Sequence, residues 1–295
     1  MVFEISLEDR AYPDLLRHIH DPPRRLWVQG DSDLLNRSIP VAVVGARECT
    51  AYGEKTAYEL SRALSEAGAT VVSGLAFGID AAAHRGALDA EGAGGAARGG
   101  TIAVLGCGID LMSPAQNKTL KERIASEGVV VTEFPPGTQA APWTFPKRNR
   151  IVSGLSRGVV VVEAGVKSGS LITADFALQH GREVFAVPGP ITSPQSEGTN
   201  RLIQNGAKLV LSVRDVLDEL GAGVQLPLPE RPQAAAETGD AGAVLRLLNS
   251  GPRHVDDLIA SSGIAVEKLS GLLVDLEIRG RIRALPGGLW EDAGR

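Results

Sequence analysis

From residue 41 onward, short runs of apolar, mostly β-branched residues alternate with segments whose apolar residues recur at helical spacing. The runs are apolar throughout, which indicates strands buried on both faces. They lie at residues 41–44, 70–73, 101–105, 129–132, 159–162, 183–187 and 208–211. The helical patterns cover residues 53–67, 79–88, 115–126, 150–155, 170–179 and 198–204. This alternation predicts an α/β protein with an extended Rossmann-like, doubly wound, mostly parallel sheet.

Both ends of the chain depart from this rhythm. Residues 1–40 contain one short helical pattern and too few apolar residues to form a hydrophobic core of their own. We therefore expect them to pack on the Rossmann-like domain of residues 41–220. Residues 221–239 contain three prolines and interrupt all periodicity, which indicates a linker between domains. Residues 240–295 show three helical patterns and then two strand-like segments, the plan of a small C-terminal winged-helix domain.

The C-terminal domain lacks the basic surface expected of a duplex DNA reader. Residues 240–295 carry seven Lys/Arg and eight Asp/Glu, and the helix in the recognition position is acidic. This balance favours protein interaction or weak binding, although arginines near the predicted wing leave DNA contact open.

Composition narrows the class of protein. With 43% hydrophobic and 22% charged residues, the chain is typical of globular proteins, and neither disorder nor a fibre fits. Two cysteines are too few for a disulfide framework or a cysteine-based zinc site. The sequence shows no leader pattern and no run of the roughly 20 apolar residues that span a bilayer. We therefore expect a cytoplasmic protein without membrane contact, metal or cofactor.

The net charge of -5 argues against a general polyanion binder, so any nucleic-acid contact has to come from a local patch. One such patch is Lys147, Arg148 and Arg150. Pro146 is expected to end a long loop and open a helix, whose first N–H groups and dipole would attract phosphate together with these side chains. The alternative is an ordinary solvated charged helix start.

Other candidate residues follow the predicted strands. Ligands of parallel sheets bind outside the carboxyl ends of the strands, and Arg47 therefore belongs to the same rim as the basic patch. The loop of residues 73–78 offers backbone N–H groups to an anion, and its Phe77 could stack on a base or belong to the core. Ser168-Gly169-Ser170 forms a small-residue helix start that suits close approach of a phosphate.

Six short motifs resemble one known family. They are Val43-Val44-Gly45-Ala46-Arg47; Ser73 to Asp80 with His84; Thr101 to Asp110; Phe145-Pro146-x-Arg148-Asn149-Arg150; Val161-Val162-Glu163-Ala164 with Ser168 to Ala174; and Ala186-Val187-Pro188-Gly189 with Asn200 to Ala207. Together they are similar to the DNA-processing protein A family, DprA or Smf. A Gly/Ala-rich insertion at residues 89–100 and Met112-Ser113-Pro114, where Tyr-Pro is usual, depart from the family pattern.

The resemblance implies a non-enzymatic, homodimeric protein that binds single-stranded DNA, protects incoming DNA and helps load the recombinase RecA during natural transformation. It also implies that Arg47 and Lys147 hold DNA phosphates. The residues expected to shape or border the pocket are Ser73, Gly74, Phe77, Gly78, Phe145, Arg148, Arg150, Ser168, Gly169 and Ser170. Those expected in the dimer and RecA-facing region are Asn200, Leu202, Ile203, Gln204 and Leu209.

Rival chemistry centres on two side chains. Glu163 ends the fifth predicted strand and is the carboxylate considered as general base of a nucleotide-cleaving phosphoribohydrolase, or as a partner of a rim arginine. Such enzymes carry Pro-Gly-Gly-x-Gly-Thr-x-x-Glu near this strand, which the chain lacks. His84 lies one turn from Asp80, a pair suited to acid–base chemistry or, as we favour, to capping and packing. The full dinucleotide fingerprint is absent, which argues against NAD.

Overall fold

Nine strands form one mixed sheet in the first part of the chain. The computed structural model describes residues 1–37, 39–92, 98–221, 239–248, 251–278 and 281–292. The sheet strands are β1 (Val2–Ser6), β2 (Arg25–Gly30), β3 (Pro40–Val44), β4 (Thr70–Ser73), β5 (Thr101–Val104), β6 (Val129–Thr132), β7 (Gly158–Val161), β8 (Glu183–Ala186) and β9 (Lys208–Leu209). Most of the predicted linker and residues 93–97 of the insertion lie outside the described residues.

The strand order is β1-β2-β6-β5-β4-β3-β7-β8-β9, and β3 to β9 are parallel to one another. Every residue of β3 to β7 is buried, because helices cover both faces of the sheet. The sequence therefore predicted the parallel, doubly wound sheet correctly. The order reverses direction between β3 and β7, the type of place where ligands enter such sheets.

The first 40 residues contribute two strands that the sequence pattern did not reveal. β1 pairs antiparallel with β2, and β2 pairs antiparallel with β6 through Val28 opposite Val131. Ile5, Leu26 and Val28 are buried, whereas most of their neighbours are exposed or half-buried. Strands at a sheet edge bury few side chains, so their hydrophobic signal is short and weak.

In the described part of this unit, eight α-helices accompany the sheet. They are α1 (Asp14–Arg17), α2 (Ala51–Glu66), α3 (Ile79–Leu88), α4 (Lys118–Glu127), α5 (Thr144–Gly154), α6 (Gly169–Gln179), α7 (Glu197–Gln204) and α8 (Val213–Glu219). Helix α5 begins at Thr144, two residues earlier than Pro146, the residue expected to open it. Pro146 is tolerated as its third residue because the first N–H groups of a helix have no partner within the helix.

The two ends of the Gly/Ala insertion are joined by an ion network between α3, α4 and the segment before β5. Arg123 pairs with Asp89 at 2.7 Å and with Glu127 at 3.0 Å, and Arg98 pairs with Glu127 at 2.7 Å. Arg98 also donates to the carbonyl of Leu88. This network lies at the amino edge of the parallel strands, because α3 ends and β5 begins there.

The chain divides into two compact units, residues 1–225 and 226–295. The second unit contains α9 (Gly239–Leu248), β10 (Arg253–His254), α10 (Val255–Ser262), α11 (Val266–Ile278), β11 (Ile282–Leu285) and β12 (Leu289–Asp292). Its strands form a sheet in the order β10-β12-β11, packed with three helices around Leu248, Leu258 and Leu273. Three helices and a β-hairpin make the predicted winged-helix arrangement.

Candidate nucleic-acid interface

A cavity of about 660 Å³ opens at the carboxyl edge of the sheet, where the strand order reverses between β3 and β7. Its walls are the loops that follow β3, β4 and β7, together with the starts of α5 and α6. The predicted site residues that line it are Arg47, Gly74, Phe145, Arg148, Ser168, Gly169 and Ser170. The cavity therefore lies at the carboxyl ends of the strands, where the sequence analysis expects a ligand to bind.

Arg47 is an exposed cation that stands over an aromatic ring. Its guanidinium carbon lies 4.9 Å from the centre of the Phe145 ring, and no carboxylate forms an ion pair with it among the residues that the structure describes. A cation–π contact of this kind contributes roughly 0.5–1 kcal/mol at an exposed position. The contact positions the guanidinium at the cavity without neutralising its charge.

Arg148 is a buried cation with few partners. Its side chain is 5% exposed, and Nη1 donates to the carbonyl of Val104 at 3.1 Å. The Nε–H has no hydrogen-bond partner, and no carboxylate contacts the guanidinium within the described part of the chain. Burial lowers the pKa of Arg148, the nearby carboxyl group of Asp80 opposes this change, and the guanidinium of Arg47 lowers the pKa further. A buried charge is expensive to maintain unless a partner compensates it, so this arrangement favours an anion in the cavity.

Carboxylates also line the cavity. Asp80 is buried, and burial raises the pKa of its carboxyl group while the charge of Arg148 opposes that rise. Glu197 forms an ion pair with Arg201 at 2.6 Å, and Glu48 is exposed. The charge of Asp80 thus acts on Arg148, although the two groups form no ion pair.

The loop after β4 leaves space for Arg148. A Cβ atom added to Gly74 would overlap the Arg148 guanidinium, and one added to Gly78 (φ +70°) would collide with the carbonyls of Ala46 and Arg47. The hydroxyl of Ser73 donates to the Val43 carbonyl at 2.7 Å, so it holds the loop to β3 and does not line the cavity.

Helix α5 separates the three basic side chains that the sequence places together. Lys147 and Arg150 are three residues apart and share one face, where both contact Glu133, whereas Arg148 points into the cavity. Arg150 is 6% exposed, and it also donates to the carbonyl of Asp21 at 2.7 Å. Of the three cations of the patch, Arg148 lines the cavity with Arg47, whereas Lys147 and Arg150 contact Glu133.

The start of α6 closes the opposite wall. Ser168 caps the helix by accepting from the Ser170 N–H at 3.4 Å, and the two hydroxyls are 2.8 Å apart. Asn149 of α5 donates to the carbonyl of Gly169 at 3.1 Å, which ties both walls together. Nothing lies within 4 Å of a Cβ atom added to Gly169, so the approach to this helix start is open.

Neither rival catalytic side chain faces the cavity. The Glu163 carboxylate is 2% exposed and accepts from the Thr50 N–H at 2.8 Å and the Thr50 hydroxyl at 2.6 Å. His84 is fully buried, and its Nδ1 lies 2.8 Å from the Thr101 hydroxyl, not against Asp80. Burial lowers the pKa of His84 to about 3. Both side chains therefore have partners in the protein interior, away from the cavity.

The predicted dimer and RecA-facing segment lies at the free edge of the sheet. Asn200 exchanges two hydrogen bonds with the backbone of Gly189, at 3.2 and 3.0 Å, and so shapes a loop. Leu202 and Ile203 are half-buried, whereas Gln204 is exposed on α7 and Leu209 is 38% exposed on β9.

Aromatic residues at the carboxyl edge include one that the sequence reasoning missed. Phe77 is 41% exposed, as a base-stacking role would need, but it does not line the cavity. Trp143 is 59% exposed directly before α5 and meets Phe134 edge-on, with ring centres 5.7 Å apart. The available signal was its place two residues before Phe145, in a chain with only 4% aromatic residues.

The fold defines a Rossmann-like protein with an arginine-lined cavity at the switch point of its sheet and a winged-helix unit. A model of the DNA recombination-mediator protein A family matches residues 4–221, and a model of the DprA winged helix domain matches residues 228–288. The chain belongs to the DNA recombination-mediator protein A family, so the resemblance inferred from its motifs is confirmed. Within the described residues, no helix combines the length and apolar character needed to cross a bilayer.

Relatives of known name match most of the chain. DNA processing protein DprA of Bacillus subtilis is 42% identical over 216 residues, 73% of this chain and 70% of that protein. Protein Smf of Escherichia coli is 39% identical over 292 residues, 96% of this chain and 76% of that protein. The crystal structure of DprA from Streptococcus pneumoniae is similar with a TM-score of 0.68 and 46% identity, covering 74% of each chain.

A second solved structure is also similar to this chain. DprA from Helicobacter pylori is similar with a TM-score of 0.65 and 31% identity, covering 74% of this chain and 96% of that one, and it is described as having a unique single-stranded DNA binding mode.

Proposed function

We propose that this protein binds single-stranded DNA in the cavity between β3 and β7. Arg47 neutralises a backbone phosphate at the cavity mouth, and Phe145 holds that guanidinium in place. Arg148 supplies a second positive charge from the buried part of the cavity wall. The start of α6 offers its open backbone to the same strand, as helix N-termini do for phosphates.

The single observation that carries this proposal is that Arg47 and Arg148 line one cavity without an ion pair to any described carboxylate. Lys147 and Arg150 both contact Glu133, whereas Lys167 is an exposed cation that lines the cavity together with the two arginines. Two free guanidiniums that repel each other are stabilised by an anion between them. The Helicobacter pylori relative supports a DNA strand as that anion.

Glu163 gives no support to the phosphoribohydrolase alternative, because Thr50 occupies both of its oxygens away from the cavity. A binding role without catalysis therefore remains our proposal. By family membership we further propose a homodimer that protects incoming DNA and helps load RecA during transformation. The free edge at β9, with exposed Gln204 and Leu209, is the proposed contact region. Molar mass in solution and the rate of RecA filament nucleation on coated DNA test these two roles.

Replacing Arg47 by Ala tests the DNA site. Because Arg47 is exposed, the variant should fold normally while its affinity for oligothymidylate falls. The slope of log affinity against log salt should shrink by about 0.7, the value for one phosphate contact on a single strand. Fluorescence anisotropy at several salt concentrations measures both quantities.

Arg157→Ala is the matched control. Arg157 is also exposed but precedes β7, at the opposite edge of the sheet. It removes the same charge from the molecule and should leave affinity and slope close to wild type. Equal losses in both variants would mean that net charge, and not this cavity, governs binding.

A further inference from the structure

We propose a second nucleotide subsite outside the cavity, formed by Trp143, Phe134 and Lys147. A base stacks on the exposed indole of Trp143, and the phosphate beside that base contacts Lys147. The subsite rests on the proposed function, because it extends the same DNA strand beyond the cavity by one nucleotide.

The indole is both exposed and held in place. Trp143 is 59% exposed, while Phe134 beneath it is 4% exposed and meets it at an interplanar angle of 79°. An edge contact fixes the orientation of one ring and leaves a face of the other available. An oriented aromatic face is the feature with which single-strand binders hold successive bases without reading their sequence.

A cation lies beside the same aromatic pair. The Nζ of Lys147 is 5.8 Å from the centre of the Phe134 ring and 3.7 Å from a Glu133 oxygen, and the Lys147 side chain is 47% exposed. Its ion pair is partly solvated and therefore weak enough for a phosphate to replace. Glu133 keeps its shorter bond to Arg150 when this happens.

The platform adjoins the cavity along the chain. Trp143 and Phe145 are separated by one residue, so their Cα atoms lie no more than about 7 Å apart. The Phe145 ring contacts the Arg47 guanidinium at the cavity mouth. The first turn of α5 contains no acidic residue. A strand leaving the cavity over Phe145 therefore reaches Trp143 next without passing a carboxylate of that turn.

Oligothymidylate titrations of the full chain test the subsite. Trp143→Ala should weaken binding about five-fold or more, the lower bound for one stacked base, without changing the salt slope. Lys147→Ala should instead shrink the slope by about 0.7. Trp143→Phe should restore most of the affinity. Thymidine monophosphate, which fills only the cavity, should bind wild type and Trp143→Ala equally.

Intrinsic fluorescence provides a second readout. The chain has three tryptophans, of which Trp143 is the exposed one, so oligothymidylate should quench emission in wild type and much less in Trp143→Phe. Leu178→Ala removes another exposed apolar side chain, in the last turn of α6 at the opposite edge of the sheet, and should behave as wild type.

Wild-type affinity and quenching in the Trp143 variants would overturn the subsite, while loss of binding in Arg47→Ala would leave the cavity proposal standing. If Trp143→Ala changes the oligomeric state of the protein in solution but not its DNA affinity, the indole contacts another copy of the chain. That result would also overturn the proposed subsite.

Discussion

Gly74→Ala should weaken DNA binding at the proposed site although no charged residue is replaced. Gly74 is not in a left-handed conformation, so alanine is compatible with the backbone there. The added methyl group would overlap the Arg148 guanidinium, and the nearest atom is Nη1, the same atom that donates to the Val104 carbonyl. Arg148 therefore has to leave its position or the loop after β4 has to move.

Two magnitudes follow. Overpacking of this kind costs about 1–3 kcal/mol of unfolding free energy, which lowers the melting temperature by roughly 2–4 °C for each kcal/mol in a unit of this size. Displacing a charged hydrogen-bond donor from the ligand costs about 1.5–3 kcal/mol of binding free energy, or roughly 10- to 150-fold in affinity. The affinity should therefore fall far more than stability alone explains, since the protein remains folded at the assay temperature.

Urea unfolding and oligothymidylate anisotropy, measured on the same preparations, check both values. Gly271→Ala is the matched control, because Gly271 lies on α11, does not line the cavity, and its added methyl group meets nothing within 4 Å. It should bind nearly as wild type. Gly74→Ala binding with wild-type affinity, or Gly271→Ala losing as much, would refute the assignment of Arg148 to the DNA site.

Two further predictions concern buried side chains. His84 has a pKa of about 3 in the folded protein and about 6.5 unfolded, so the unfolded state takes up the proton first. Stability should therefore fall as pH decreases from 6.5 towards 3, by up to about 1.4 kcal/mol per pH unit, and urea unfolding of His84→Gln should show a shallower dependence; parallel curves would contradict this. Glu163→Gln should lose about 1–3 kcal/mol of stability, because Thr50 loses a charged acceptor, yet keep oligothymidylate binding. Release of free base from nucleoside monophosphates by wild type but not by Glu163→Gln would instead favour the enzyme alternative.

Sequence reasoning reached the parallel sheet and the edge of the sheet at which the cavity lies. Strands β3 to β8 begin and end within one residue of their predicted limits, because fully buried strands appear as continuous apolar runs. The carboxyl-end rule then places Arg47 and the start of α5 at one rim whatever their separation in sequence.

The directions of individual side chains could not be predicted in this way. Whether Lys147, Arg148 or Arg150 faces the cavity depends on how α5 is rotated against the sheet. That rotation is fixed partly by Arg150, whose partners Asp21 and Glu133 are 129 and 17 residues away in sequence. Local periodicity contains no information about such distant partners. The same applies to Trp143, whose orientation depends on Phe134.

The ion network of Asp89, Arg98, Arg123 and Glu127 makes the Gly/Ala insertion a practical place to attach a label. It fastens the flanks of the Gly/Ala insertion to each other at the edge remote from Arg47. When the residues on both sides of an insertion are held by ion pairs, additional residues between them change the stability of the domain little. A fluorophore or affinity tag introduced within residues 93–97 would thus let the protein be immobilised or tracked while DNA approaches unobstructed from the far side.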